Sequence, residues 1–263
     1  MLAATLYGGA IGAVMGLTGA GGGVLAVPTL MLGLGLSLPQ AVPLALVAVA
    51  SAAALGCIDE LRRGMVRYRA ALFMACIGAL IAPAGLWLSQ RLPMPILLGL
   101  FCAVMVLVGC RMLWQSLAPH AHTPTSTPRC TLNPQTGRFL WNARCTSTLA
   151  ATGATAGLFT GLLGVGGGFV IVPALRQFSD LSMQSIAATS LAVIALVSTT
   201  TVIGAFSSGA ALPSFGWAFI LGTIAGLLAG RSVARHLSGT WLQRVFAVSV
   251  LGIAALLFFK HFT

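Results

Sequence analysis

GAVMGLTGAGGGVLAVPTL, residues 12–30, and GLFTGLLGVGGGFVIVPAL, residues 157–175, are two copies of one stretch, with Gly157 standing 145 positions after Gly12. Gly12, Gly16, Gly19, Gly21, Gly22, Gly23 and Pro28 coincide at that offset with Gly157, Gly161, Gly164, Gly166, Gly167, Gly168 and Pro173. Apolar sequence flanks each copy, so a triple glycine and a proline five residues on describe a helix interrupted at membrane depth. Matching interruptions in two halves are the best sequence pointer to a transporter's binding site.

Composition sets the class. The chain is 58% hydrophobic and 6% charged, with Asp59, Glu60 and Asp180 as its three acids. A soluble domain carries roughly 25% charged residues. Apolar segments of about 20 residues recur along the length, which predicts an all-α polytopic membrane protein. Short segments of alternating polarity, the mark of a transmembrane barrel, are not evident. The net charge of +11 sits singly or in short clusters between apolar segments. That placement orients a membrane protein and argues against a nucleic-acid partner.

The cysteines do not read as a disulfide framework. Cys57, Cys76, Cys102 and Cys110 lie in or beside apolar spans, Cys130 and Cys145 flank a polar loop, and no C-x-x-C occurs. The N-terminus lacks a basic region and a small-residue cleavage site, and is read as a first membrane segment.

Taken in order, residues 2–18 are helical in character, 19–23 break, and 24–36 resume. Spans follow at 40–58, 70–88 and 96–114, giving a first repeat over 1–114. Residues 115–144 hold four prolines, His120 and His122 and form a polar connecting loop. Two histidines without an acidic or thiol partner are a poor metal set, so they read as solvated side chains. The second repeat, 145–263, has its break within 150–178 and spans at 184–206, 215–233 and 241–259.

Each half therefore has three spans and one broken segment. A broken segment that crosses once makes the halves parallel; one that folds back or crosses twice inverts them. With the Arg62, Arg63, Arg67 and Arg69 loop in the cytoplasm, inverted halves retain all basic residues there but Arg91 and Lys260, which is 12 of 14. Parallel halves retain 9. The charge bias favours inverted repeats with both termini outside.

The break suits an anion. Three glycines cost about 1 kcal/mol each against alanine in a helix, and they bare the backbone N–H groups. Such a segment survives in hydrocarbon only when buried in protein or lining a cavity. The helix that resumes offers free N–H donors and about half a positive charge. The expected site is Gly19, Gly21, Gly22 and Gly23 with Gly164, Gly166, Gly167 and Gly168, holding a small oxyanion without a buried arginine. Gly12/Gly16 and Gly157/Gly161 have the spacing by which membrane helices pack closely, and read as packing residues. The G-x-G-x-x-G pattern of a dinucleotide loop fails at Val24 and Phe169.

Hydroxyls within the spans are further candidates. Thr189 and Ser190 either donate to the anion or bond to their own helix's carbonyls. The run Ser198–Thr201 reads as the second case, and Thr18 is a lesser candidate for the first. Asp59 and Glu60 end a span beside the arginines and read as a charge-balanced loop rather than a proton relay.

The doubled G-L-x-G-x-G-G-G-x-x-x-V-P-x-L pattern, with SIAATSLAVIAL after its second copy, resembles the sulfite exporter TauE/SafE family. The resemblance covers nearly the whole chain. It implies a multi-pass transporter of a bacterial-type plasma membrane moving sulfite, sulfonates or other small organic anions. The first half departs from the pattern, with Leu44-Ala45-Leu46 opposite Thr189-Ser190-Leu191.

The function expected is a secondary carrier of a small anion, working by alternating access between the repeats. Its partners are that anion, the bilayer and a coupling ion. No ATP-binding loop and no cofactor motif is present in the sequence. A membrane enzyme is disfavoured because no histidine lies centrally in a span and the acids are at span ends. A passive anion channel and a non-transporting scaffold or sensor are the alternatives. Sequence leaves the anion, the direction, the oligomeric state and the path of each broken segment open.

Overall fold

The computed structural model describes residues 1–19, 22–117, 130–131, 139, 141–207, 213, 215–234 and 239–262. Gly21, His120, His122, Arg129, Arg138, the turn 208–212, Arg235 and His236 lie outside them, as do the side chains of Lys260 and His261. The described residues form α1 (Leu2–Thr18), α2 (Gly23–Gly33), α3 (Leu38–Arg62), α4 (Tyr68–Arg91), α5 (Met94–Leu117), α6 (Ala143–Leu163), α7 (Gly168–Phe178), α8 (Met183–Ser207), α9 (Gly216–Ala234) and α10 (Gly239–Phe262). No named strand occurs among them, and Cys130 and Ser179 form an isolated bridge.

The repeat seen in sequence is a repeat of structure. α2, α3 and α5 recur as α7, α8 and α10 with both ends displaced by the same 145 positions as Gly12 and Gly157. Helices 38–62, 68–91, 94–114, 183–207 and 216–233 are long and apolar enough to cross a bilayer, with mean hydropathy from 1.4 to 2.5.

The glycines do more than interrupt a helix. α1 ends on Gly19 in the left-handed region (φ 81°), its N–H donating to Met15 O, and α6 ends likewise on Gly164 (φ 71°), donating to Thr160 O. The chain then reverses. A β-carbon on Gly22 would stand 2.5 Å from Met15 N, and one on Gly33 would stand 2.8 Å from the Tyr7 ring. α2 therefore runs back along α1. In the second copy a β-carbon on Gly167 would meet Ala156 O at 2.7 Å, and the Phe159 and Phe169 rings pack at 5.8 Å. Each broken segment is an antiparallel hairpin. Pro28 and Pro173 do not add to the break, because both lie inside the returning helices. A proline there removes one i→i−4 bond without turning a chain that glycines have already turned.

Directions of the other helices follow from close contacts. β-Carbons on Gly8, Gly12 and Gly16 would collide in turn with the carbonyls of Phe219, Thr223 and Leu227, so α1 runs parallel to α9. α6 runs parallel to α4 by the same device, with Gly153, Gly157 and Gly161 against Met74, Gly78 and Ala82. The G-x-x-x-G stripes thus bring backbones together, as small residues do between membrane helices. Their partners lie in the opposite half of the sequence. The halves exchange a helix.

At the centre α3 crosses α8. Val49 and Ile194 both flank Gly166, while Gly56 faces Leu191 and the Arg67 N–H reaches Thr189. Higher numbers on one helix meet lower numbers on the other, so the pair is antiparallel. α4 follows α8, with Gly78 at Val197 and Gly204 at Leu86; α9 follows α3, where Arg231 reaches Gly56 O.

The cysteines do not read as a disulfide framework in sequence, yet one pair is bonded. Cys130 and Cys145 are joined by a disulfide, with Cα atoms 4.9 Å apart. The fold brings them together where α6 starts beside the end of α7, and Cys130 N donates to Phe178 O at 3.0 Å. That tertiary approach has no sequence signature.

Candidate functional site

The two glycine breaks touch. A β-carbon on Gly23, the first residue of α2, would stand 2.8 Å from Val165 O in the second break and 3.4 Å from Val49 Cγ1. The described residues of the two breaks, 19, 22, 23 and 164–168, are buried, as a backbone with free polar groups requires.

In the second break Gly166 (φ 72°) and Gly167 (φ 64°) both hold the left-handed conformation that glycine adopts without strain. Gly167 caps α7, and its carbonyl oxygen accepts from the first helical donors, the N–H groups of Val170 and Ile171. Among the described residues the N–H groups of Gly167, Gly168 and Phe169 make no hydrogen bond. In the first break Gly22 precedes α2 in a right-handed conformation (φ −60°), and Leu25 N–H donates to Gly22 O at 3.0 Å. Two short helices thus begin beside one another, each with its positive end in the interior.

The candidate hydroxyls divide. Thr18 donates to Val14 O at 2.8 Å and Ser190 to Ala187 O at 2.8 Å, both within their own helices. Thr189 is fully buried and its Oγ1 accepts the Arg67 N–H at 3.2 Å, pinning the α3–α4 turn onto α8. Gly19 and Gly164 lie against Ala187 and Val42, with no room for a side chain.

Ser198 departs from the reading of the run 198–201 as bonded to its own helix. Thr199, Thr200 and Thr201 donate to Ala195 O, Val197 O and Val197 O, as that reading expects. Ser198 does not: it is fully buried and its Oγ has no hydrogen-bond partner. That oxygen lies 3.4 Å from where a β-carbon on Gly166 would stand. Its spacing of eight residues from Ser190 on one face was the available signal. Arg67 also has a buried, unpartnered Nε, beside the backbone N–H that Thr189 holds.

Asp59 and Glu60 sit away from the breaks. Arg231 on α9 pairs with Glu60 on α3, donates to Gly56 O at 2.6 Å and approaches Asp59 at 3.7 Å, while Arg63 pairs with Asp59 at 3.2 Å. The acids balance arginines, and no group of three or more His, Cys, Asp or Glu able to hold a metal occurs among the described residues.

The family described as sulfite exporter TauE/SafE matches residues 4–257 of this chain. Two proteins named "Probable membrane transporter protein" are similar over most of their length. One, from Xylella fastidiosa strain 9a5c, is 31% identical over 255 residues, covering 94% of this chain and 90% of the relative. Another, from strain Temecula1 of the same species, is 31% identical over 252 residues with the same coverage.

Proposed function

We propose a function from one premise: the chain belongs to the sulfite exporter TauE/SafE family and is a multi-pass membrane transporter. A bacterial inner membrane fits its bacterial relatives. The cargo in this reading is a small oxyanion, sulfite-like or sulfonate-like, held where the two breaks meet. The observation that carries it is the contact of Gly23 with Val165, which brings two helix N-termini together in the interior. Unused N–H groups at Gly167, Gly168 and Phe169 are anion donors made of backbone alone. Gly19, Gly22, Gly164 and Gly166 shape the turns, and Thr189 holds the α3–α4 turn beside them.

The repeats, 1–114 and 145–263, are inverted in this reading. Two hairpins that fold back and the antiparallel α3–α8 crossing support it, because an odd number of further crossings follows each hairpin. The basic end, where α3 and α9 finish and α4, α6 and α8 begin, faces the cytoplasm. Alternating access then moves α1, α2, α3 and α9 against α4, α6, α7 and α8. These bodies are not the sequence halves, since the glycine stripes bind α1 to α9 and α6 to α4. A gradient of a coupling ion or of the anion itself supplies the energy, and the protein is a carrier rather than an enzyme.

Counterflow in proteoliposomes tests this, with sulfite, sulfate, sulfoacetate, taurine and acetate. Labelled anion is expected to enter against the same anion inside, saturably. Gly23→Ala, which puts a methyl group between the breaks without a φ penalty, is expected to abolish exchange while the thermal unfolding transition remains. Flux without saturation or counterflow means a channel. Unchanged exchange in Gly23→Ala moves the site elsewhere.

A further inference from the structure

We infer that the second break selects a singly charged oxyanion, with the Ser198 hydroxyl as its side-chain donor, and turns dianions away. The inference rests on the anion-site reading above and deepens it. A serine inside a helix ordinarily satisfies itself on the carbonyl three or four residues back, as Ser190 does. Ser198 is fully buried with its Oγ unpaired, which is costly for a polar group unless something else bonds it. The oxygen faces Gly166: it lies 3.4 Å from where a β-carbon there would stand, and Val49 and Ile194 close around the same point at 3.0 and 3.2 Å. The adjacent α7 N-terminus supplies the unused N–H groups. A buried hydroxyl without a partner and a helix N-terminus without acceptors complete each other only around a bound acceptor.

Charge sets the class of that acceptor. On every helix packed at this point the nearest formal charge is distant. α8 carries none, and Arg67 of the α3–α4 turn meets it at Thr189, nine before Ser198; on α7 it is Arg176, eight residues beyond Gly168; on α3 it is Asp59, ten beyond Val49; on α6 it is Arg144, sixteen before Thr160; on α4, which meets α8 at Val197, it is Arg69, nine before Gly78. At 1.5 Å per residue these separations are about 12 Å or more. The field at the break then comes from helix ends, about half a charge each. Two such ends balance one negative charge and leave the second charge of a dianion uncompensated in an apolar wall. The mirror position of Ser198 is Ala53, so the hydroxyl is present in one break and the anion leans toward the second half.

The test uses full-length protein in proteoliposomes and in detergent. Sulfite passes between monoanion and dianion near neutral pH, methanesulfonate stays a monoanion, and sulfate stays a dianion. Sulfite exchange is expected to rise several-fold from mildly alkaline to mildly acidic buffer while methanesulfonate exchange stays level and sulfate is not carried. Ser198→Ala is expected to raise the half-saturating concentration about tenfold or more, the loss of one hydrogen bond to a charged group. Thr201→Ala, whose hydroxyl bonds its own helix, is expected to leave it unchanged. In detergent, methanesulfonate is expected to raise the unfolding temperature of wild type more than that of Ser198→Ala. Saturable exchange that carries sulfate as well as methanesulfonate, or ignores Ser198→Ala, overturns this inference and leaves the carrier standing. Monoanion binding without counterflow does the reverse. Equal stabilisation of wild type and Ser198→Ala, or none of either, overturns the inference whatever the flux.

Discussion

Arg231 on α9 and Glu60 on α3, 171 residues apart, form an ion pair across the exchanged helices. Their side chains are 10% and 18% exposed. Arg231 also takes Gly56 O, so its guanidinium is tied to the last turns of α3 at the basic end. At the mirror positions stand Leu86 and Ala205, with Gly204 against Leu86, and that end has an apolar contact instead. The pseudo-symmetric fold therefore has one ionic end and one greasy end.

Removing one partner of this pair leaves the other buried and unpaired. Glu60→Ala is expected to destabilise the protein by about 1–3 kcal/mol, below the range for a fully buried pair because some solvent screens it. Glu60→Ala combined with Arg231→Leu imports the mirror arrangement and is expected to recover most of that loss. Thermal unfolding of the four proteins of the cycle measures it. A double variant no better than Glu60→Ala shows that Arg231 acts through Gly56 and Asp59 instead.

The helix exchange makes its own demand. A β-carbon on Gly12 would collide with Thr223 O, whereas one on Gly252 meets nothing within 4 Å. Gly12→Ala is expected to cost about 1–3 kcal/mol or more through overpacking, and Gly252→Ala close to nothing. Unfolding in mild detergent compares them. Equal stability of the two variants would mean that α1 does not seat on α9.

The Cys130–Cys145 disulfide lies at the basic end, beside the start of α6 and the end of α7. A cytoplasmic basic end places the pair in a reducing compartment, where such bonds are rare. Both cysteines are then expected to be thiols in growing cells and to join on oxidation of the purified protein. Thiol trapping by a mass tag, before and after reduction, reads this. A bond already formed in cells would put the basic end outside and reverse the proposed orientation.

Thr189 offers a local test of the α3–α4 turn. Thr189→Val removes the acceptor of the Arg67 N–H and is expected to destabilise by about 1–3 kcal/mol, the cost of an orphaned buried donor. Thr189→Ser keeps the oxygen and is expected to recover most of it. If the valine variant is as stable as wild type yet carries no anion, Thr189 belongs to the transport site.

Much was legible in the sequence because it depends on local spacing. The doubled triple glycine located both helix breaks, though not that the chain turns back there, and apolar run lengths located the spans, since a bilayer admits only segments that satisfy their own backbone. Lone Ser198 looked like its threonine neighbours, because whether a hydroxyl back-bonds depends on what lies across from it. The nearness of Cys130 to Cys145 was hidden for the same reason. Pro28 and Pro173 misled, as a proline signals a break only where no stronger breaker precedes it.

From its sequence alone this chain was a helical, twice-repeated membrane protein with a backbone-lined break in each half, because hydropathy, periodicity and glycine clustering act over a few turns of chain. Which helices pair, that α1 belongs with α9 and α6 with α4, that Gly23 meets Val165, and that Ser198 is left unpaired were decided by tertiary structure. Those relations join residues far apart along the chain, and close backbone packing between helices, rather than any local propensity, selects them.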